Sequence, residues 1–326
     1  MGQGGARLRR HHRLKAIDVT PTPFLHAPAA VPHSIQVVRD IVYGHARVGC
    51  TGEAAGRLRP LLLDRYAPAD AGTAPRPVLV LAFGGAFHRG SKSEDAFGTE
   101  GERNTSIADH CRMLAQQGYV ACSIDYRLVQ EDPDPGATRA VAEPAHIPRS
   151  RVDLVRSLLG LPPATAEMLW RGIEAASDDV AMAARFVLAQ ARSWNIDPLR
   201  LALGGFSAGA RSALNAVYAE KVPAAAVFAL SGYMDAEDQH RHLASHGGPP
   251  VLLVSADGDL DYIAAHAPGM AQRFRAHGVV CETVCVRGAG HFYPHDAAGT
   301  RDDGEATTVS AAIQDFLHRH LAPGSA

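Results

Sequence analysis

Short, wholly apolar runs recur along this chain, and each is followed by a longer segment with the period of a helix. Pro77 to Phe83 reads Pro-Val-Leu-Val-Leu-Ala-Phe and runs into glycines, the pattern of a strand buried on both faces. Tyr119 to Tyr126, Leu199 to Leu203, Ala224 to Leu230, Pro250 to Ser255 and Val279 to Val286 read the same way. Helical spacing marks Thr105 to Gln117, where Ile107, Cys111 and Leu114 share a face and Gly118 is the stop. It marks also Val180 to Trp194 (with Ser177 as cap), Ala208 to Ala219, Tyr262 to His277 and a closing Ala306 to His320. Such alternation leaves few architectures: an α/β fold with a mostly parallel central sheet and helices on both faces. Ahead of it, Ile35 to Tyr43 and Pro60 to Tyr66 read as strands, with Gly44 to Gly56 as the turn between them.

The rhythm breaks once. From residue 128 to about residue 172 the chain carries Asp132-Pro133-Asp134-Pro135-Gly136, Pro144, Pro148 and Pro162-Pro163 around a helical piece at Arg151 to Leu159. That is too long for an ordinary connection, and it reads as an inserted helical cap over one end of the sheet. The organisation expected is a basic, partly disordered extension over 1–34, one domain over 35–320 including the cap, and a short tail over 321–326. With 46% hydrophobic residues in 326, the chain has material for a core of that size. Its 32 basic and 34 acidic residues leave a formal charge of −2, which points to neither nucleic acid nor an anionic membrane as partner. Arg9-Arg10 lacks the apolar stretch of an export signal, and no run of about eighteen apolar residues occurs, so a cytoplasmic protein is expected. The five cysteines fit no zinc or redox spacing; Cys281 and Cys285 fall on a strand, and all read as reduced thiols. His240, His242 and His246 lack a further ligand, so no metal is expected.

Gly205-Phe206-Ser207-Ala208-Gly209 matches G-x-S-x-G between an apolar strand and a helix of small residues. A turn that sharp needs glycines beside the serine and lifts its hydroxyl clear of the backbone. A serine needs a base, and Gly288-Ala289-Gly290-His291 puts His291 just past the last strand, at the edge where catalytic groups collect in parallel sheets. A carboxylate must orient that imidazole. Asp257, Asp259 and Asp261 all lie just past the strand Val251 to Ala256, and spacing does not choose among them. Phe83-Gly84-Gly85-Ala86-Phe87 follows a strand, and the N–H groups of Gly84, Gly85 and Ala208 would together receive an oxyanion. The segment Gly85 to Lys92 nearly spells a phosphate-binding loop, but Ser91 precedes Lys92, the reverse of the order that loop requires. His88 and Arg89 are candidates to meet a substrate carboxylate, and Met168, Leu169 and Trp170 to meet an acyl or aryl group; of these, His88 and Trp170 are the expected substrate contacts.

With these elements in the order serine, aspartate, histidine, the sequence resembles the α/β-hydrolase superfamily over roughly Ile35 to His320. It is especially similar to carboxylesterases with an HGGG-type oxyanion loop, including hormone-sensitive-lipase-like and xylan- or feruloyl-esterase-like branches. The family's Gly-x-x-Asp-Pro segment, laid with Ala256 in the glycine's place, implies Asp259 as the acid; laid on Gly258 it implies Asp261. Leu61-Leu62-Leu63-Asp64 and Asp125-Tyr126-Arg127-Leu128 also resemble landmarks, with Asp125 and Arg127 pairing structurally near the cap's root. Phe83 stands where the family has the histidine that braces the loop. The resemblance implies an ester hydrolase with Ser207, His291 and Asp259 as triad, a small-molecule substrate and no cofactor. A lactone (dienelactone-type) hydrolase or peptidase on the same fold is the alternative, and a noncatalytic binding protein the reading from another class. Substrate identity and oligomeric state, a homodimer included, stay open.

Overall fold

The computed structural model describes Met1 and residues 32–51, 56–70, 72–99, 102–245 and 247–322. Nearly all of the expected N-terminal extension, and His246 of the three-histidine group, lie outside these residues. Among the described residues no group of histidine, cysteine and acidic side chains could hold a metal ion, and no helix is long and apolar enough to cross a membrane.

In chain order the elements are β1 (Ile35–Val48), β2 (Arg57–Pro68), β3 (Arg76–Ala82), the small hairpin β4 (Gly98–Thr99) and β5 (Glu102–Arg103), α1 (Ile107–Gln116) and β6 (Val120–Ile124). Two 3₁₀ turns and α2 (Ser150–Leu158) precede α3 (Ala166–Ala189), α4 (Ala191–Trp194), β7 (Ile196–Phe206), α5 (Ala208–Tyr218), β8 (Ala226–Leu230) and α6 (Ala236–His242). Then come β9 (Val251–Ala256), α7 (Asp261–Ala276), β10 (Cys281–Val286), β11 (Ala298–Arg301), β12 (Ala306–Thr308) and α8 (Val309–Leu321).

The main sheet runs β1-β2-β6-β3-β7-β8-β9-β10-β11-β12. Its centre, from β6 to β10, is parallel, and an antiparallel pair flanks it on each side. Burial explains the composition of the centre: all of β6 and β8 and the last five residues of β3 are buried. Water is excluded from both faces there, so continuous Val, Leu, Ile and Ala replaces alternation. After β3 the chain lays β6 on one side and later β7 on the other. Chain direction therefore switches between β3 and β7, and a crevice opens at their C-terminal ends. Gly84 follows β3 there, and Ser207 follows β7.

Three local expectations are corrected. Gly44 to Val48 is strand rather than turn, because Ala46 and Val48 keep the inward period of two and the pairing with β2 continues to Val48↔Arg57. Ser177 is not a cap but lies inside α3, a 24-residue helix capped by Thr165, whose hydroxyl accepts the N–H of Met168 at 3.1 Å. Its own hydroxyl donates back to the carbonyl of Ile173 and accepts from Asn215 Nδ2, so a helix-breaking residue is satisfied in mid-helix. Helix α3 therefore begins inside the excursion over 128–172 expected as the cap. Residues Ala306 to Thr308 form an edge strand, and Thr308 caps α8 by accepting the N–H of Ala311.

Arg127 anchors the root of that excursion. Fully buried, it reaches Asp179 of α3 through Nε at 3.0 Å and through a terminal nitrogen at 2.8 Å, and donates to the carbonyl of Asp134 at 2.7 Å. Asp125 is not its partner; that carboxylate accepts the N–H of Lys92 at 2.8 Å. Lys92 itself is spoken for, since its ammonium sits 2.6 Å from Asp64 and 2.8 Å from Asp40.

Candidate active site

Ser207 is the whole of the turn between β7 and α5. Its φ of 53° and ψ of −112° belong to a region that side chains seldom occupy. Two hydrogen bonds hold it there: its N–H donates to the carbonyl of Leu230 at 2.8 Å, and its carbonyl accepts from Arg211 at 3.1 Å. A Cβ on Gly209 would strike the carbonyl of Ala82, so only glycine lets α5 approach β3 this closely. The turn delivers the hydroxyl beyond the sheet edge, at the N-terminus of α5, where helix dipoles favour negative charge.

His291 arrives from the loop after β10 and is buried against Phe206 and Phe292, each with its ring centroid 5.2 Å away. Its Nε2 is 3.0 Å from Ser207 Oγ, and its Nδ1 is 2.7 Å from Asp259 Oδ1. A carboxylate only accepts, so Nδ1 carries the proton and Nε2 is free to receive one from the serine. Of the three candidate aspartates, Asp259 alone is buried and touches the imidazole. Asp257 instead accepts the N–H of Gly288 at 3.0 Å, holding the histidine's loop, and Asp261 is exposed at the start of α7.

In the glycine loop the N–H of Gly84 lies toward the carboxylate of Asp95 and favours its charged form. Asp95 is fully buried and also accepts the N–H of Ile107, the first residue of α1, at 2.8 Å. Burial nevertheless pushes the Asp95 carboxyl up to about 7. Beyond Gly84 the chain takes positive φ at Gly85 (121°), Ala86 (55°) and Phe87 (60°), and a Cβ on Gly85 would strike the carbonyl of Arg89. This twist brings Ala86 and Phe87 to the wall of the cavity opposite Ala208. No acceptor among the described residues takes the N–H groups of Gly85, Ala86 or Ala208. Phe83, in the brace position, stacks on Tyr126 at 4.2 Å, and its carbonyl accepts the Tyr126 hydroxyl at 2.9 Å.

The cavity beside Ser207 is narrow, about 40 Å³. Ile147, Pro148, Arg151 and Val152 of the excursion roof it, and Leu169 and Ile173 of α3 form an apolar side. Tyr233 and Tyr262 face them, and burial pushes the Tyr262 hydroxyl up to about 12. Neither His88 nor Trp170 is part of this lining. The His88 ring is turned to the carbonyl of Ala86 (2.7 Å) and to Arg156 (3.0 Å), and Trp170 donates to Glu174 at 2.9 Å. Leu169, one residue earlier on the helix, is the one that reaches the cavity.

Two arginines in the lining were not singled out from the sequence. Arg211 lies four residues after Ser207, which on a helix places both on one face, so the spacing carried that signal. It pairs with buried Asp238 at 3.1 Å while its Nε has no partner among the described residues. Arg151 stands 5.1 Å above the Phe292 ring, with no carboxylate in contact among the described residues. Burial, reinforced by the charge of Arg89, pulls its pKa down.

A family model described as the dienelactone hydrolase family matches residues 93–321. The match takes in Ser207, Asp259 and His291 and begins beyond the Gly84-Gly85 loop. Among solved structures, the chain is similar to a thermophilic esterase from the Planctomycetes species Thermogutta terrifontis, at 18% identity over 88% of this chain and 94% of that one, with a TM-score of 0.54. The same esterase phosphorylated by paraoxon aligns at 19% identity over 90% and 94%, with a TM-score of 0.51. At such identities the likeness is one of fold, the α/β-hydrolase fold. Among curated proteins none matches.

Proposed function

The chain belongs to the dienelactone hydrolase family, and from that premise we propose that it hydrolyses carboxylic esters through an acyl-enzyme on Ser207. The observation that carries this reading is the line Ser207 Oγ, His291, Asp259, with links of 3.0 and 2.7 Å. As Oγ attacks the carbonyl carbon, His291 Nε2 takes its proton, and Asp259 holds the ring and offsets the imidazolium charge. The carbonyl oxygen becomes an oxyanion within reach of the N–H groups of Ala208, Ala86 and Gly85, each fixed before the substrate arrives. Collapse of this intermediate breaks the bond to the alcohol oxygen, which leaves with the proton from His291. Water then enters, loses a proton to Nε2 and attacks the acyl carbon, releasing the acid and restoring Ser207.

A serine-directed phosphonate tests the reading. One equivalent should attach to Ser207, located by peptide mass spectrometry, and Ser207→Ala should take none. A folded, unlabelled wild-type sample refutes it. The capture of the Thermogutta terrifontis esterase by paraoxon supports the choice of reagent.

One observation favours a second reading, an anionic lactone or ester as substrate: Arg151 and Arg211 both line the small cavity, and neither cation is fully matched by acids. A guanidinium held near apolar walls gains a substrate carboxylate as its natural partner. Arg151→Gln should then raise KM for a carboxylate-bearing ester and leave a neutral one of equal size unchanged. Equal effects on both argue for neutral esters.

A further inference from the structure

Ser231 follows β8 and lines the cavity, yet its hydroxyl points to the acid of the triad. It is 1% exposed and has a φ of 49°. That left-handed conformation is strained for a residue with a side chain and persists only where surroundings enforce it. Here its N–H is tied to the carbonyl of Val254 at 2.7 Å. The side chain then lies 2.5 Å from Asp259 Oδ2 and 3.0 Å from the Tyr293 hydroxyl. A serine has one proton. The carboxylate accepts only, so that proton goes to Asp259, and the Tyr293 hydroxyl, which also faces the carbonyl of Val254 at 3.4 Å, packs against the serine oxygen from the other side.

The remaining contacts of Asp259 show what this donor does. Oδ1 receives His291 Nδ1–H at 2.7 Å and the N–H of Leu260 at 2.8 Å. Among the described residues, Oδ2 has, besides Ser231, only the N–H of Ala256 at 3.3 Å. Without the serine, one oxygen of a buried carboxylate keeps a single long bond, and the carboxylate loses the contact that fixes its rotation about Cβ–Cγ. We propose that Ser231, with Tyr293 behind it, is a positioning residue that holds Asp259 in the orientation in which it serves His291. This rests on the triad reading above.

Tyr262 of α7 and Tyr293 are the other titratable groups facing Asp259. Burial raises both hydroxyls, so both stay protonated across the working pH range. A change in the acid limb of kcat/KM therefore reports the His291–Asp259 pair. A carboxylate stripped of a donor attracts the imidazolium proton more strongly, and the limb moves to higher pH.

The test is the pH profile of Ser231→Ala on a short-chain ester. We expect kcat to fall about 10- to 100-fold, the value of a hydrogen bond to a charged group, with KM little changed and the acid limb shifted upward. A raised KM with an unmoved limb would make Ser231 a mere wall of the cavity and overturn the proposal. Tyr293→Phe leaves the lining intact and removes one hydroxyl; it should shift the limb the same way by a smaller amount. Should Ser231→Ala fail to fold, an unmoved limb in Tyr293→Phe overturns the proposal just as well. Wild-type protein that no phosphonate labels at Ser207 defeats the triad reading itself, a result distinct from either variant's.

Discussion

Replacing Asp95 by Asn separates what the buried carboxylate does for the fold from what it does for the glycine loop. Its carboxyl is fully buried, one of its oxygens has no partner among the described residues, and burial raises it to about 7 from an ordinary 3.8. The folded protein thus holds the proton more tightly than the unfolded chain. Stability from this group is fully present below the ordinary carboxylate range and is lost as pH rises toward 7. The loss is about 1.4 kcal/mol per pH unit in that window, or about 4 kcal/mol in all. Asn cannot ionise and escapes it. Urea unfolding at pH 5 and pH 8 should show the variant gaining about 3 kcal/mol on the wild type between the two conditions. Asp109, whose charge also bears on Asp95, is present in both proteins and cancels in the comparison. Activity should move the other way, with kcat at pH 8 down about 10-fold, because a neutral amide attracts the N–H groups of Ile107 and Gly84 less strongly than a carboxylate does and the loop donors lose their aim. A stability difference equal at both pH values would refute the buried-acid reasoning. Unchanged activity would mean that the loop is braced elsewhere.

Asp259→Asn should lower kcat by about 10⁴, through the wrong imidazole tautomer, whereas Asp261→Asn should leave it within about 3-fold; steady-state kinetics on one ester decides both. Arg127→Met leaves Asp179 buried and unpaired, and denaturant unfolding should show a loss of about 3–5 kcal/mol. Leu169→Ala should widen the cavity, shift preference toward longer acyl chains and lower stability by about 2–5 kcal/mol; a graded acyl series and a melt measure the two effects.

The parts of the site legible in the sequence are those tied to backbone geometry. Glycines flank Ser207 because a Cβ would collide there, and His291 follows a strand because that edge is where a parallel sheet leaves its loops free. What spacing could not decide was a matter of side-chain direction. Asp257, Asp259 and Asp261 sit within five residues, and only the tertiary path of the loop turns Asp259 inward and sets Asp257 against Gly288. The same limit hid the direction of His88 and Trp170, whose neighbours Ala86 and Leu169 face the cavity in their place. Ser177 misled because the satisfaction of its hydroxyl by Ile173 and Asn215 involves a residue 38 positions away.

Phe83 shows how one departure from a motif can be absorbed without loss of the geometry it served. A histidine in that position would brace the loop by polar contacts. Here the aromatic ring stacks on Tyr126, the Tyr126 hydroxyl takes up the Phe83 carbonyl, and Asp95 attends to the N–H of Gly84. Stacking fixes position at little electrostatic cost, whereas a buried carboxylate fixes direction and resists ionisation. The loop's aim is therefore tied to the protonation of Asp95, because the ionised form attracts the N–H groups of Ile107 and Gly84 more strongly than the neutral form does. Catalysis should favour the ionised form while folding favours the other. Activity and stability should consequently part company as pH crosses 7, with the more active enzyme the less stable one.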